Sequence, residues 1–63
     1  MIFRQLFHSE SSTYTYLLGD EVTRESLLID PVLEKTQETL ELINQLGLTL
    51  VLAIDTHTHA DHI

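Results

Sequence analysis

The chain has 63 residues, which is enough for one small domain at most, and a domain of that size is only marginally stable by itself. It contains no cysteine, which excludes disulfides and thiolate metal sites. A net charge of −7 with only three basic residues excludes a basic nucleic-acid-binding face and disfavours an anionic membrane surface, and no apolar run approaches the ~20 residues of a membrane span.

The first half of the sequence predicts three short strands. The first is "MIFRQLF", and the second, Thr13–Leu18, alternates so that its tyrosines share one face and its threonines the other. A third strand, Ser26–Asp30, is expected to return antiparallel to the second. Pro31 ends it, because proline cannot donate to a ladder, and the proline is expected to hold Asp30 in an extended conformation.

The second half predicts a helix followed by a buried strand. The helix is expected from about Glu34 to Leu46, and Gly47 stands where a helix commonly ends in a left-handed residue. Its apolar positions recur at helical spacing: Leu33, Leu40, Ile43 and Leu46. The run Leu48–Ile54 is almost continuously apolar, which is typical of a strand covered on both faces. This order predicts an α/β sheet whose last strand ends at an edge where ligand sites collect.

Three histidines and an aspartate follow that strand directly, in the stretch "DTHTHADHI". In an extended segment His57, His59 and Asp61 point to one side, and His62 could face a second metal ion. Imidazole and carboxylate are ligands that zinc, iron(II) and manganese accept. A purely structural cluster is disfavoured, because protonated imidazoles repel one another and a buried aspartate needs a partner. His8 stands alone in a polar break and is expected to be a surface residue or a satisfied core residue.

The motif and its surroundings resemble a known family. "THTHADH" matches the H-x-H-x-D-H motif of the metallo-β-lactamase superfamily, and the stretches "FRQLF", "SSTYTYLLGD", "LLIDPVLE" and "LINQLGLTL" resemble its persulfide dioxygenase branch. The resemblance implies an α/β fold, a partial αβ/βα sandwich. Residues 1–63 are expected to form the N-terminal part of one metallo-β-lactamase-like domain, with strands of one mixed sheet and the first helix.

The resemblance also implies a metal and a reaction. In the persulfide dioxygenase branch two histidines and one aspartate hold iron(II), and glutathione persulfide is oxidised to sulfite and glutathione. His57 corresponds to the first of these ligands, and His59 is a ligand or lies beside one. In dinuclear hydrolases of the superfamily His57 and His59 bind the first metal, and Asp61 and His62 the second. The remaining iron ligands would follow further along a longer chain.

Two alternatives stay open. One is a metal-dependent thioester hydrolase of the glyoxalase II type, with zinc as the alternative metal. The other is a non-catalytic, truncated piece, because the chain by itself lacks the further ligands. No secretory signal is recognisable, so a cytoplasmic location is expected. A small thiol-derived substrate is the expected partner, and association into a homo-oligomer is left open.

Overall fold

Four strands lie side by side in the order in which they occur along the chain. A computed structural model describes residues 1–56. Neighbouring strands are antiparallel except for the last two, which are parallel. The strands are β1 (Ile2–His8), β2 (Thr13–Gly19), β3 (Glu25–Ile29) and β4 (Thr49–Ile54). A 3₁₀ turn (Leu33–Lys35) and helix α1 (Thr36–Gln45) connect β3 to β4. The predicted order of elements and the mixed α/β sheet are confirmed.

The two faces of the sheet differ because side chains alternate along each strand. On β2, Thr15 and Leu17 are fully buried on the face that α1 covers. Tyr14 and Tyr16 lie on the opposite face, as the alternation predicts. Tyr14 is paired with Phe7 of β1, with ring centroids 5.1 Å apart. Such cross-strand aromatic pairs stabilise the pairing of β1 with β2.

The core lies between α1 and the sheet. Its buried apolar residues are Leu17, Leu28, Ile43 and Leu48. The predicted apolar face of the helix is partly wrong, because Leu33 is 85% exposed and Leu40 is 45% exposed. Leu33 lies in the 3₁₀ turn, where three residues complete one turn, so it is out of phase with the α-helix that begins at Thr36. Ile43 and Leu46 pack towards the core as predicted, and Thr39 and Leu42 face the sheet beside them.

Gly47 ends the helix as predicted. Its φ is +71°, a value that favours glycine, and the Leu48 amide donates back to the Ile43 carbonyl at 3.0 Å. This turn directs Leu48 into the core, where it lies against Gly19 of β2. A Cβ atom on Gly19 would come within 2.7 Å of Leu48 Cδ1. The absence of a side chain at Gly19 therefore makes room for Leu48.

The connection between β2 and β3 depends on Asp20. Its carboxylate accepts hydrogen bonds from the amides of Val22 at 2.7 Å and Thr23 at 3.2 Å. These two bonds favour the charged form and hold the pKa of the Asp20 carboxyl below its ordinary value. Short side-chain-to-backbone bonds of this kind are the usual means by which aspartate fixes a turn.

Strand β4 is less buried than its apolar sequence predicts. Val51 is 56% exposed, Leu52 52% and Ile54 39%. Strand β4 is an edge of the described sheet, and α1 covers only one of its faces, so the expectation of burial on both faces is wrong for residues 1–56. The only α-helix in this range has ten residues, and no helix within it has the length and hydropathy to cross a membrane.

Candidate functional site

The four predicted metal ligands, His57, His59, Asp61 and His62, lie outside the described residues. Their convergence on one side of the chain therefore stays a prediction. Within residues 1–56 no group of three histidine, aspartate or glutamate side chains is placed to hold a metal ion. What the structure does show is how the segment leading into His57 is attached to the sheet.

Asp30 occupies the junction between β3 and the start of that segment. Its amide donates to the Ile54 carbonyl at 2.7 Å, so the C-terminal ends of the parallel strands β3 and β4 are joined there. Its carbonyl accepts a hydrogen bond from the Thr15 hydroxyl, also at 2.7 Å. These contacts come from two different strands. They fix the backbone of Asp30 on both sides of its Cα atom.

The conformation of Asp30 is left-handed rather than extended. Its φ is +56°, so the expectation drawn from the following Pro31 is wrong. Proline disfavours the right-handed helical region for the preceding residue, but here contacts from β2 and β4 override the remaining preference for extended backbone. Aspartate tolerates the left-handed region better than most residues with a side chain. A conformation that is sparsely populated by itself persists only where its surroundings hold it, and such positions concentrate at functional sites.

The left-handed turn brings the Asp30 carboxylate to Thr56. One carboxylate oxygen accepts from the Thr56 amide at 2.7 Å, and the other accepts from the Thr56 hydroxyl at 2.6 Å. Thr56 is exposed, Asp30 is half-buried, and the next residue in the chain is His57. A charged acceptor that binds both donors of one residue fixes the direction of the chain at that point. We call this pair of hydrogen bonds the Asp30–Thr56 clamp.

A buried histidine stands behind the clamp. His8, at the end of β1, is 8% exposed, and its Nε2 atom lies 3.1 Å from Thr15 Oγ1. The expectation of a satisfied core residue is confirmed for His8. It belongs to a row of polar groups that crosses the sheet from β1 through Thr15 of β2 to Asp30 at the end of β3.

A groove of about 430 Å³ opens between β1 and α1. Its charged groups are already paired, since Lys35 Nζ lies 3.2 Å from the Glu10 carboxylate and 3.7 Å from that of Glu38. The hydrogen bond to Glu10 and the two negative charges raise the pKa of the Lys35 ammonium. These pairs tie the 3₁₀ turn and the first turn of α1 to the loop after β1.

The sequence pattern predicts a donor set, which stays a prediction, but it does not single out the residues that attach the preceding segment to the sheet. Three histidines and one aspartate within six residues indicate metal binding by their close spacing and their residue types. Asp30 and Thr15 do not, because an Asp-Pro pair and a threonine in a strand are common in sequences without a site. The one available signal was that Asp30 ends a strand beside the strand that leads to the histidines.

The donor set agrees with a metal of intermediate hardness. Imidazole nitrogens and a carboxylate oxygen suit zinc, iron(II) and manganese, whereas calcium and magnesium prefer oxygen donors alone. The chain has no cysteine, so thiolate ligation is excluded within it. The chemistry of these predicted donors therefore fits a transition-metal ion.

Comparison with known proteins gives consistent matches, although no family model matches the chain. All 63 residues align with persulfide dioxygenase ETHE1, mitochondrial, from Bos taurus at 56% identity. The crystal structure of ETHE1 from Myxococcus xanthus superposes over the whole chain with a TM-score of 0.90 and 65% identity. A metallo-β-lactamase structure from Staphylococcus aureus covers 97% of the chain with a TM-score of 0.84 and 34% identity.

The match covers only part of each of these proteins. The chain spans 25% of the bovine relative, 28% of the Myxococcus chain and 18% of the Staphylococcus chain. The sheet and α1 correspond to the N-terminal part of the metallo-β-lactamase fold in these neighbours. The predicted partial metallo-β-lactamase sandwich is confirmed for the described residues.

Proposed function

Because the chain belongs to the persulfide dioxygenase branch of the metallo-β-lactamase superfamily, we propose that it forms part of an iron(II)-dependent persulfide dioxygenase. The observation that carries the proposal is 56% identity to a persulfide dioxygenase over every residue of the chain. The 65% identity to an ETHE1 of known structure agrees with it. The chain would then contribute the first segment of the metal centre, and the rest of the domain would contribute the remaining ligands.

The proposed substrate is glutathione persulfide. The balanced reaction is GSSH + O₂ + H₂O → GSH + SO₃²⁻ + 2 H⁺. The two persulfide sulfurs together lose four electrons, dioxygen gains them, and the sulfur–sulfur bond breaks with glutathione as the leaving thiol. Iron(II) would supply the one-electron chemistry that allows dioxygen to react with a sulfur substrate.

The residues of this chain would hold and orient the metal. His57 is the first candidate ligand, and His59 is a ligand or a neighbour of one. Asp61 and His62 would serve a second metal in the dinuclear arrangement. The Asp30–Thr56 clamp lies directly before His57, so it would limit the positions that the imidazole can reach. Groups that orient metal ligands in this way commonly change metal affinity or activity 10–100-fold when they are removed.

The test is a pair of assays on the natural protein that carries this sequence. It is loaded anaerobically with iron(II), and oxygen uptake and sulfite are measured with glutathione persulfide. We expect one oxygen consumed per sulfite formed, and no turnover with zinc. Hydrolysis of S-lactoylglutathione without oxygen uptake would overturn the proposal in favour of the thioester hydrolase. Absence of both activities in metal-loaded protein would favour a non-catalytic role.

A further inference from the structure

A row of buried polar groups crosses the sheet towards the Asp30–Thr56 clamp. Thr15 is completely buried, and His8 beside it is 8% exposed. Thr15 Oγ1 lies 2.7 Å from the Asp30 carbonyl oxygen and 3.1 Å from His8 Nε2. Among residues 1–56 every buried side-chain nitrogen and oxygen atom has a hydrogen-bond partner. The row is therefore fully satisfied.

The directions of these hydrogen bonds follow from the donors available. A threonine hydroxyl has one hydrogen, and the Asp30 carbonyl can only accept, so Thr15 donates to Asp30. Thr15 must then accept from His8, which places a hydrogen on Nε2 of the imidazole. His8 thus orients the Thr15 hydroxyl, and the hydroxyl in turn holds the carbonyl of a residue whose φ is +56°.

We propose that His8 and Thr15 are positioning residues for the segment that enters the histidine cluster. They hold the left-handed peptide of Asp30, and in that conformation the Asp30 carboxylate binds Thr56. The part of this inference that concerns metal affinity rests on the proposed function. The part that concerns the clamp does not, because it is a statement about residues 8–56.

A purely structural role predicts something different. If the Thr15 hydroxyl only stabilised the fold, its removal would lower the stability of the protein. Amide exchange at Thr56 would then change no more than that loss of stability accounts for. Thr39 offers the matched control. It is 6% exposed, and its hydroxyl donates to the Lys35 carbonyl at 2.9 Å. Thr15→Val and Thr39→Val remove the same group from a buried position, but only the first is linked to Asp30.

The experiment compares these variants in the natural protein that carries this sequence. Amide hydrogen exchange at Thr56 is followed by NMR in the metal-free state, and zinc affinity is measured by chelator competition. For Thr15→Val we expect exchange at Thr56 about tenfold faster and zinc binding about tenfold weaker, the lower end for groups behind a metal ligand. For Thr39→Val we expect both to stay within twofold of the wild type, at a comparable loss of thermal stability.

A second pair of variants covers the case in which Thr15→Val does not fold. His8→Gln keeps an N–H donor near the position of Nε2, whereas His8→Leu removes it, and both changes lie at the end of the edge strand β1. We expect faster exchange at Thr56 in His8→Leu and rescue in His8→Gln. Equal exchange in these two variants, or in Thr15→Val and Thr39→Val, would overturn the inference. If the wild type binds no metal, the proposed function fails, while exchange at Thr56 still decides this inference.

Discussion

Replacing Asp30 tests directly whether the clamp contributes to metal binding. Asp30→Ala removes both hydrogen bonds to Thr56 and places alanine, which tolerates the left-handed region less well than aspartate, at a φ of +56°. Asp30→Asn keeps an acceptor for the Thr56 amide, and the Thr56 hydroxyl can rotate to accept from the new amide group. Asparagine also tolerates the left-handed region, so this variant loses the charge and little else.

The magnitude follows from the contacts. A hydrogen bond to a charged group contributes roughly 1.5–3 kcal/mol net when it is well shielded, and we take about 1 kcal/mol each here because Thr56 is exposed. Alanine adds about 1 kcal/mol for the left-handed conformation. Asp30→Ala therefore loses about 3 kcal/mol and Asp30→Asn about 1 kcal/mol. If metal binding has to supply this ordering energy, metal affinity falls roughly 100-fold in Asp30→Ala and roughly fivefold in Asp30→Asn. The conversion uses about 1.4 kcal/mol for each factor of ten.

The assay is zinc affinity by chelator competition in the natural protein that carries this sequence, beside thermal unfolding of the metal-free form. Thr56→Ser is the control, because serine retains both the amide and the hydroxyl, and its affinity should remain within twofold of the wild type. Wild-type affinity in Asp30→Ala would refute the reasoning. A loss in Asp30→Asn as large as that in Asp30→Ala would show that charge, and not hydrogen bonding, matters.

Three further outcomes are expected. Gly19→Ala should destabilise the fold by about 1–2 kcal/mol in chemical denaturation, because the new Cβ would lie 2.7 Å from Leu48 Cδ1 and the Leu48 side chain has to move. Unchanged stability would show that Leu48 moves freely. The Asp20 carboxyl has a lowered pKa, so its contribution is complete above the ordinary value of 3.8 and is lost as pH falls through the lower folded-state value. The stability difference between wild type and Asp20→Asn should therefore shrink on acidification, and a difference that does not change with pH would contradict the assignment. A synthetic polypeptide of these 63 residues should show no persulfide dioxygenase activity, and sulfite production near the rate of the natural protein would contradict this. The same polypeptide should self-associate through its exposed apolar sheet face, which sedimentation experiments would detect.

Local sequence patterns predicted the strands and the helix well, because the alternation and spacing of apolar residues depend on the backbone geometry of each element. Alternation placed Tyr14 and Thr15 on opposite faces of β2, and Gly47 marked the left-handed end of the helix. The helix face was predicted less well. Helical spacing counted from Leu33 assumes a single regular helix, and the 3₁₀ turn before Thr36 changes the phase.

Burial and special backbone conformations could not be predicted in the same way. The apolar sequence of β4 suits a strand that is covered on both faces. In residues 1–56 only α1 covers the sheet, so one face of β4 stays exposed. Asp30 was expected to be extended because the rule for residues before proline is local. The contacts that decide its conformation come from Thr15 and Ile54, which are distant in sequence and meet Asp30 only once the sheet has formed.

The position of Asp30 explains how two stretches 26 residues apart are joined. Strands β3 and β4 are parallel neighbours, so their C-terminal ends meet at one edge of the sheet. A residue that leaves β3 in a left-handed turn can therefore reach the segment that leaves β4. Asp30 does so with its amide on Ile54 and its carboxylate on Thr56. The entry to the histidine cluster is thereby attached to the sheet itself, through the strand that precedes the helix as well as through the strand that follows it.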